Sequence, residues 1–327
     1  MQNRQVICRE FGLPENLLIE ESNIPSPEKG EVLVKVLAAG VGYVDSLMVQ
    51  GLYQVKPPLP YYPGSEFAGE VIQVGGAVNN IKSGDLVMGM WRGAYTDHMT
   101  VPSSECTVIP DSLSVEVAGG FYTNYSTALF GLRDCGNLEA GENVLILGAS
   151  GGVGSSAITV AKAMGANVIA GASSPEKLEL ASSAGADETI LYSKEGWRTE
   201  LKALLGNESL TMVYDPVGGD LAEPAFRSLA PGGRFLVVGF ASGTIPSIPL
   251  NLALLKQSSI VGVDWGGAMR SDPSLTPTLQ KTLLDWIDSG RLNPAKVSTR
   301  PLSEIREALS DQISGKVIGK LVLEGNK

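Results

Sequence analysis

Histidine is almost absent from this sequence. There is one, His98, and the three cysteines, Cys8, Cys106 and Cys135, lie far apart with no paired spacing. That excludes a disulfide framework and a zinc knuckle, and it suits reduced thiols in a reducing compartment. Basic residues are outnumbered, 25 against 35 acidic, for a net charge of −10. A surface that tracks phosphates needs the opposite sign, so nucleic-acid binding is disfavoured and a small neutral substrate is easier to accept than a polyanion. Long apolar runs are missing too. Stretches such as Val32–Ala39 and Phe235–Gly239 fall well short of a membrane span. Met1-Gln2-Asn3-Arg4-Gln5-Val6 has neither the apolar stretch of a signal peptide nor the basic face of a transit peptide, so a cytoplasmic protein is expected.

What is present changes texture along the chain. The length, 327 residues, fits two domains. The first hundred or so residues alternate β-branched runs with glycine turns: Val32–Ala39 ends at Gly40, Phe67–Val74 at Gly75-Gly76, and Leu86–Trp91 follows Ser83-Gly84-Asp85. This pattern predicts a partly closed β-barrel. Val115–Gly131 has helical spacing. Strands and helices then alternate: strands at Asn143–Leu147, Asn167–Ala170, Glu188–Leu191, Met212–Asp215 and Arg234–Val238, with helices at Gly152–Gly165, Pro175–Ala184, Trp197–Leu205 and Asp220–Leu229. The alternation predicts an α/β domain with a doubly wound parallel sheet. A tail of helix, strand, helix and strand follows from about Ser274. The expected division is 1–120, 121–265 and a C-terminal segment 266–327.

Between the first strand and helix of that alternation stands Gly148-Ala149-Ser150-Gly151-Gly152-Val153-Gly154. Small residues there permit a tight turn, let backbone N–H groups approach a pyrophosphate, and allow close helix–strand packing. The context makes this a dinucleotide-binding segment, with Ser150, Gly151, Gly152, Val153 and Gly154 as contacts. An acid at the end of the second strand would select NAD. The chain instead reads Ala170-Gly171-Ala172-Ser173-Ser174-Pro175-Glu176-Lys177. Ser174 reads as an N-cap and Pro175 as the first helical residue. Lys177 then falls in the first turn, where a cation opposes the helix dipole. A 2′-phosphate held by Ser173, Ser174 and Lys177 would offset that placement, so the expected cofactor is NADPH. The plain alternative is a solvated surface lysine.

Gly64-Ser65-Glu66-Phe67-Ala68-Gly69, Ala38-Ala39-Gly40-Val41-Gly42-Tyr43-Val44-Asp45 and the glycine segment together resemble the medium-chain dehydrogenase/reductase superfamily, essentially end to end. The resemblance implies a GroES-like β-barrel catalytic domain to which the C-terminal segment returns, beside a Rossmann domain. Zinc members of the family have Cys where Gly42 stands and His where Ser65 stands, and the cysteine-rich structural-zinc loop is absent. A catalytic zinc needs three converging N, S or O ligands. No such set can be assembled, and His98 reads as a strand residue with a local partner. No metal is expected.

Within the superfamily the chain resembles the zinc-free quinone oxidoreductases, the zeta-crystallin-like group. The features are the missing zinc ligands, Gly-Ala-Ser-Gly-Gly-Val-Gly, Tyr53 in Gln50-Gly51-Leu52-Tyr53, and Gly262-Val263-Asp264-Trp265-Gly266. The resemblance implies that Tyr53 lines the substrate cleft and donates to the substrate oxygen, or to the enolate carbon. A phenol with pKa near 10 is a donor at neutral pH. Packing on the proline stretch is the alternative. The Asn-Phe pair common in the family is Gly42-Tyr43 here, and a second cleft tyrosine falls on Leu47. Tyr43 is the candidate to take over part of that role. The resemblance also implies cofactor contacts at Thr127, Tyr192, Val217, Phe240, Ser242 and Lys320. It implies a homodimer joined at the edge strand Ser259–Val263. The expected reaction is hydride transfer to a quinone or similar conjugated carbonyl. The alternatives are an enoyl-CoA or enone reductase, or a low-activity NADPH-binding, crystallin-like protein.

Overall fold

The computed structural model describes residues 2–325, and they form two compact units. The first comprises residues up to Thr123 and from Lys296 onward; the second is Asn124–Ala295. The C-terminal return to the first unit therefore begins at Lys296, later than the expected 266. The reason is the helix Leu275–Asp288, which buries Leu279, Leu283 and Ile287 and belongs to the second unit.

The first unit is built on the long strand Glu31–Val41. It pairs antiparallel with Phe67–Val74, with His98–Pro102 and with the late strand Lys320–Glu324. The full sheet has seven strands, in the order Val297–Pro301, Lys320–Glu324, Glu31–Val41, Phe67–Val74, Leu86–Gly89, Cys106–Val108, with His98–Pro102 on Glu31–Val41. The register slips between Leu33 and Val34 and between Val36 and Ala38. Such irregularities bend a strand, and they turn this sheet around its core. Val34, Val36, Phe67, Val71, Val101, Leu309 and Leu321 fill that core. A short hairpin, Gln2–Ile7 with Leu18–Asn23, adds to it.

The second unit carries a six-stranded sheet in the order Glu188–Leu191, Asn167–Ala172, Asn143–Ile146, Leu210–Asp215, Arg234–Val237, Ser259–Gly262, parallel throughout. In chain order that is 3-2-1-4-5-6, the doubly wound arrangement. Its inner strands are largely buried on both faces and accordingly apolar: Asn143–Ile146 is buried at every position, whereas the edge strand Ser259–Gly262 is mostly exposed.

One sequence expectation shifts and three helices are added. Val115–Gly131 is not one helix but two, Val115–Gly119 and Tyr122–Leu129, followed by a π-helical turn Phe130–Cys135. The break sits where Gly119 presses on Ala38 and Gly120 on the Lys320 stem, so close that a Cβ would lie 2.5 and 2.8 Å from them. Helix Tyr43–Val49, which the alternating apolar residues do not announce, forms after Gly42. Leu250–Lys256 and Trp265–Ser271 are further helices.

Candidate active site

In the second unit the residues expected to bind a dinucleotide gather at the carboxyl ends of the parallel strands. The strand Asn143–Ile146 turns at Gly148, whose φ is +57°, and helix Gly152–Ala163 begins after Gly151 as N-cap. A Cβ on Gly154 would lie 2.2 Å from the Gly148 carbonyl oxygen, so glycine is obligatory there. At Gly151 the same atom would be 3.4 Å away, which is ordinary contact. Gly151 is therefore not needed for packing, and what its missing side chain leaves is open approach to a helix N-terminus, where unpaired N–H groups favour an anion.

Ser174 caps the next helix: its hydroxyl accepts from the Lys177 N–H at 3.4 Å, with Pro175 in the first helical position. The Lys177 ammonium lies 3.3 Å from the Ser173 hydroxyl. The Tyr192 hydroxyl also bonds the Ser173 side chain, and Ser193 donates to the Ser173 carbonyl at 2.9 Å. Ser173, Ser174, Lys177 and Tyr192 are thus one cluster of donors at the end of the second strand. Glu176 is exposed, and the hydrogen bonds of this cluster do not involve it.

The fourth strand ends in Asp215, a residue that local sequence pattern does not single out. Its buried Oδ1 accepts from the N–H groups of Val217 and Gly218 at 2.8 and 2.9 Å and fixes that turn. Burial raises the pKa of this carboxyl, against the pull of those two donors. Ser242 N–H donates to the Val217 carbonyl and Gly219 N–H to that of Thr244, both at 3.0 Å. Phe240 and Ser242 press on Gly218 and Gly219, where a Cβ would lie 2.9 and 2.7 Å from them. Val217, Phe240 and Ser242 are therefore brought together, and Val217 also borders Gly148. Thr127 lies half-buried in helix Tyr122–Leu129.

In the first unit, Tyr43 opens helix Tyr43–Val49, and Tyr53 follows the turn at Gly51 that ends it. Both are partly exposed. The same unit holds a buried charged cluster. Lys320 Nζ meets Glu66 Oε1 at 2.6 Å, and Glu66 Oε2 accepts from Thr123 N–H at 2.9 Å. Asp45 Oδ2 accepts from Gly42 N–H at 2.9 Å, and its Oδ1 is buried with no hydrogen-bond partner among the described residues. The hydroxyl of Tyr95 donates to the Gly40 carbonyl at 3.2 Å. Burial raises the Asp45 pKa to about 6, although Lys320 and the Gly42 N–H pull it down. Lys320, which the resemblance places among the cofactor contacts, has its ammonium buried and held by Glu66. The signal for Asp45 was available: an acid three residues after Gly42 is the spacing by which a carboxylate returns to a helix N-cap.

Zinc chemistry does not fit these residues. Gly42 and Ser65 offer no ligands where zinc relatives have Cys and His, and Glu66 is committed to Lys320 and Thr123. His98 opens strand His98–Pro102, its N–H donating to Asn3 Oδ1 at 2.8 Å while its ring Nδ1 has no hydrogen-bond partner among the described residues. Among those residues no three His, Cys, Asp or Glu side chains form a group that could hold a metal.

A GroES-like unit and a doubly wound unit with a glycine-rich first turn define the medium-chain dehydrogenase/reductase class. Comparison with known proteins agrees. Residues 28–128 match the alcohol dehydrogenase GroES-like domain and residues 152–288 the family described as zinc-binding dehydrogenase. A quinone oxidoreductase-like protein 2 from Bos taurus is 36% identical over 98% of this chain and 92% of its own. The quinone oxidoreductase of Escherichia coli, solved in complex with NADPH, superposes with a TM-score of 0.86 at 28% identity, covering 98% of this chain and 99% of that one. The CurK enoyl reductase superposes with a TM-score of 0.88 at 25% identity over the whole of both chains. The chain belongs to the quinone oxidoreductase family of the medium-chain dehydrogenase/reductases.

Proposed function

We propose that the protein is an NADPH-dependent, zinc-independent reductase that delivers hydride to a quinone or a similar conjugated carbonyl. The observation that carries the reading is the donor cluster Ser173, Ser174, Lys177 and Tyr192 at the end of the second strand, where an NAD enzyme has a carboxylate. A bound NADPH supplies the hydride. Gly151, Gly152, Val153 and Gly154, with Ser150, receive the pyrophosphate at a helix N-terminus, and the cluster takes the 2′-phosphate. Val217, Phe240, Ser242 and Thr127 complete the cofactor contacts. The E. coli relative solved with NADPH supports this cofactor.

The chemistry follows from what the chain can offer. Alcohol oxidation needs help in removing a hydroxyl proton, which zinc gives in related enzymes. A quinone or enone asks less, because hydride goes to an electron-poor carbon and the charge appears on a conjugated oxygen. Tyr53 donates its phenolic proton to that oxygen, and Tyr43 lines the same approach. A second reading, an enoyl or enone reductase, is favoured by the likeness to CurK. Three free cysteines fit a reducing, cytoplasmic setting, and no helix among the described residues is long and apolar enough to cross a membrane. A homodimer would pair the edge strand Ser259–Gly262 with its copy; exposed Leu250, Leu254 and Leu255 in the neighbouring helix support it.

The test follows cofactor absorbance with NADPH and NADH in parallel, against a 1,4-quinone, a small enone and crotonyl-CoA, with chelator present. Chelator-insensitive turnover of the quinone with NADPH, reduced on the order of 10²-fold or more in Tyr53→Phe, is the expected result. Turnover of the CoA ester alone moves the protein to the second reading. Chelator sensitivity overturns the zinc-independent one.

A further inference from the structure

Between Asp45 and Glu66 there is no acidic residue, and Lys56 is the one charged side chain. In a chain with an excess of ten acidic residues this stretch stands apart, and it exposes apolar groups. Leu52 is 68% exposed, and Val55, Leu59 and Tyr62 are also open to solvent. Leu13, 63% exposed, joins them from a neighbouring segment. Single exposed leucines are common on protein surfaces. A contiguous group is not, and such groups mark binding surfaces.

The backbone holds the two segments that carry these residues side by side. Cys8 and Tyr61 exchange hydrogen bonds at 2.8 and 2.9 Å, and Gly12 N–H donates to the Val49 carbonyl at 3.1 Å. Gly51 rests on the Phe11 ring, 2.9 Å from where a Cβ would stand. Both ends of the 50–62 loop are thus fastened to residues 8–13. Pro57, Pro58, Pro60 and Pro63 stiffen what lies between. The surface is preformed, so a ligand laid on it need not order the loop. Tyr53, the proposed proton donor, is part of the same loop.

We propose that this surface receives the aliphatic tail of a lipophilic acceptor whose ring reaches Tyr53, so that the substrate is a long-tailed quinone. The inference rests on the reading of the protein as a quinone reductase. Charge favours this occupant. The phosphates of a CoA ester would look for several cations and find Lys56 and Arg9, the latter already paired with Glu20 at 2.9 Å. An anionic membrane surface would need a basic cluster, which is likewise missing from the loop. A neutral hydrocarbon chain asks only for apolar area, and each methylene covered contributes to affinity.

The experiment measures kcat/KM for quinones with one common ring and no tail, one isoprenoid unit or a decyl chain, in the wild-type protein and in Leu52→Ser and Leu59→Ser. Both positions are exposed, so neither change disturbs the core. Equilibrium dialysis of the decyl quinone without NADPH reads tail binding independently of turnover. The wild type should prefer the decyl over the tail-less quinone on the order of tenfold or more, and each variant should lose most of that preference. Equal preference in wild type and variants, or none in the wild type, overturns the tail surface and leaves the reductase reading standing. Decyl-quinone binding that the variants weaken, with no turnover of any quinone, supports the surface and overturns the reductase reading. Neither turnover nor binding overturns both.

Discussion

Glu66 and Lys320 are 254 residues apart in sequence and 2.6 Å apart in space, the carboxylate and the ammonium both buried. The pair joins the last strand of the chain to the start of strand Phe67–Val74, and Glu66 continues the link to the Thr123 N–H. With the pairing of strand Lys320–Glu324 on Glu31–Val41, it ties the C-terminal segment, after Lys296, back into the first unit.

Removing one partner of such a pair leaves a buried charge uncompensated, which costs about 3–5 kcal/mol. Lys320→Met should therefore destabilise the protein by that order in denaturant unfolding. Lys320→Met combined with Glu66→Gln should recover much of the loss. A double variant as unstable as the sum of the two singles would show that the pair is not coupled.

Asp45 gives a prediction with a definite sign. Its folded-state pKa, about 6, lies above its ordinary value of 3.8. The folded protein thus holds a proton that the unfolded chain gives up. That contribution is fully present below about pH 3.8 and is lost as pH rises through about 6. At neutral pH the loss is on the order of 3 kcal/mol. Asn at this position still accepts from the Gly42 N–H and does not ionise. Asp45→Asn should match the wild type below pH 4 and become more stable than it above pH 6, as followed by urea unfolding across that range. A difference that does not change with pH would refute this.

The glycines of the first turn separate folding from binding. In Gly154→Ala the new methyl meets the Gly148 carbonyl, a backbone atom that cannot step aside, so the variant should lose stability by several kcal/mol. Gly151→Ala meets nothing closer than 3.4 Å and should unfold within about 1 kcal/mol of the wild type. If the pyrophosphate lies where proposed, Gly151→Ala should nonetheless weaken NADPH binding by tenfold or more, on the order of a 1.4 kcal/mol clash. Thermal unfolding and calorimetric titration together distinguish the two glycines.

These glycines also show what a sequence conveys. Strand, turn, glycines and helix lie within some twenty residues, so local periodicity carries the whole nucleotide-binding unit, and the cap at Ser174 with Pro175 is legible for the same reason. Lys320 is the opposite case. Nothing near it in sequence announces Glu66, and its partner is visible only once the chain has returned on itself. The close packing at the helix break has the same origin: a side chain at Gly119 or Gly120 would meet Ala38 or the Lys320 stem, residues far away in the sequence. Asp215 lay between these extremes, an acid at a strand end whose value is the turn it holds.

The last prediction concerns cofactor choice. Lys177 stands in the first turn of a helix, where its charge opposes the dipole, and it is drawn to Ser173. Such a placement is worth keeping only if an anion arrives. Removing the ammonium with Lys177→Ala should cost NADPH binding about 10–100-fold, the value of one charge-assisted contact of about 1.5–3 kcal/mol, and should leave NADH binding almost unchanged. Without the opposing charge the helix should be slightly more stable, by about 0.3–1 kcal/mol. The two effects have opposite signs, so a general loss of structure cannot imitate them. Equal losses for both cofactors would return Lys177 to the role of a solvated surface residue.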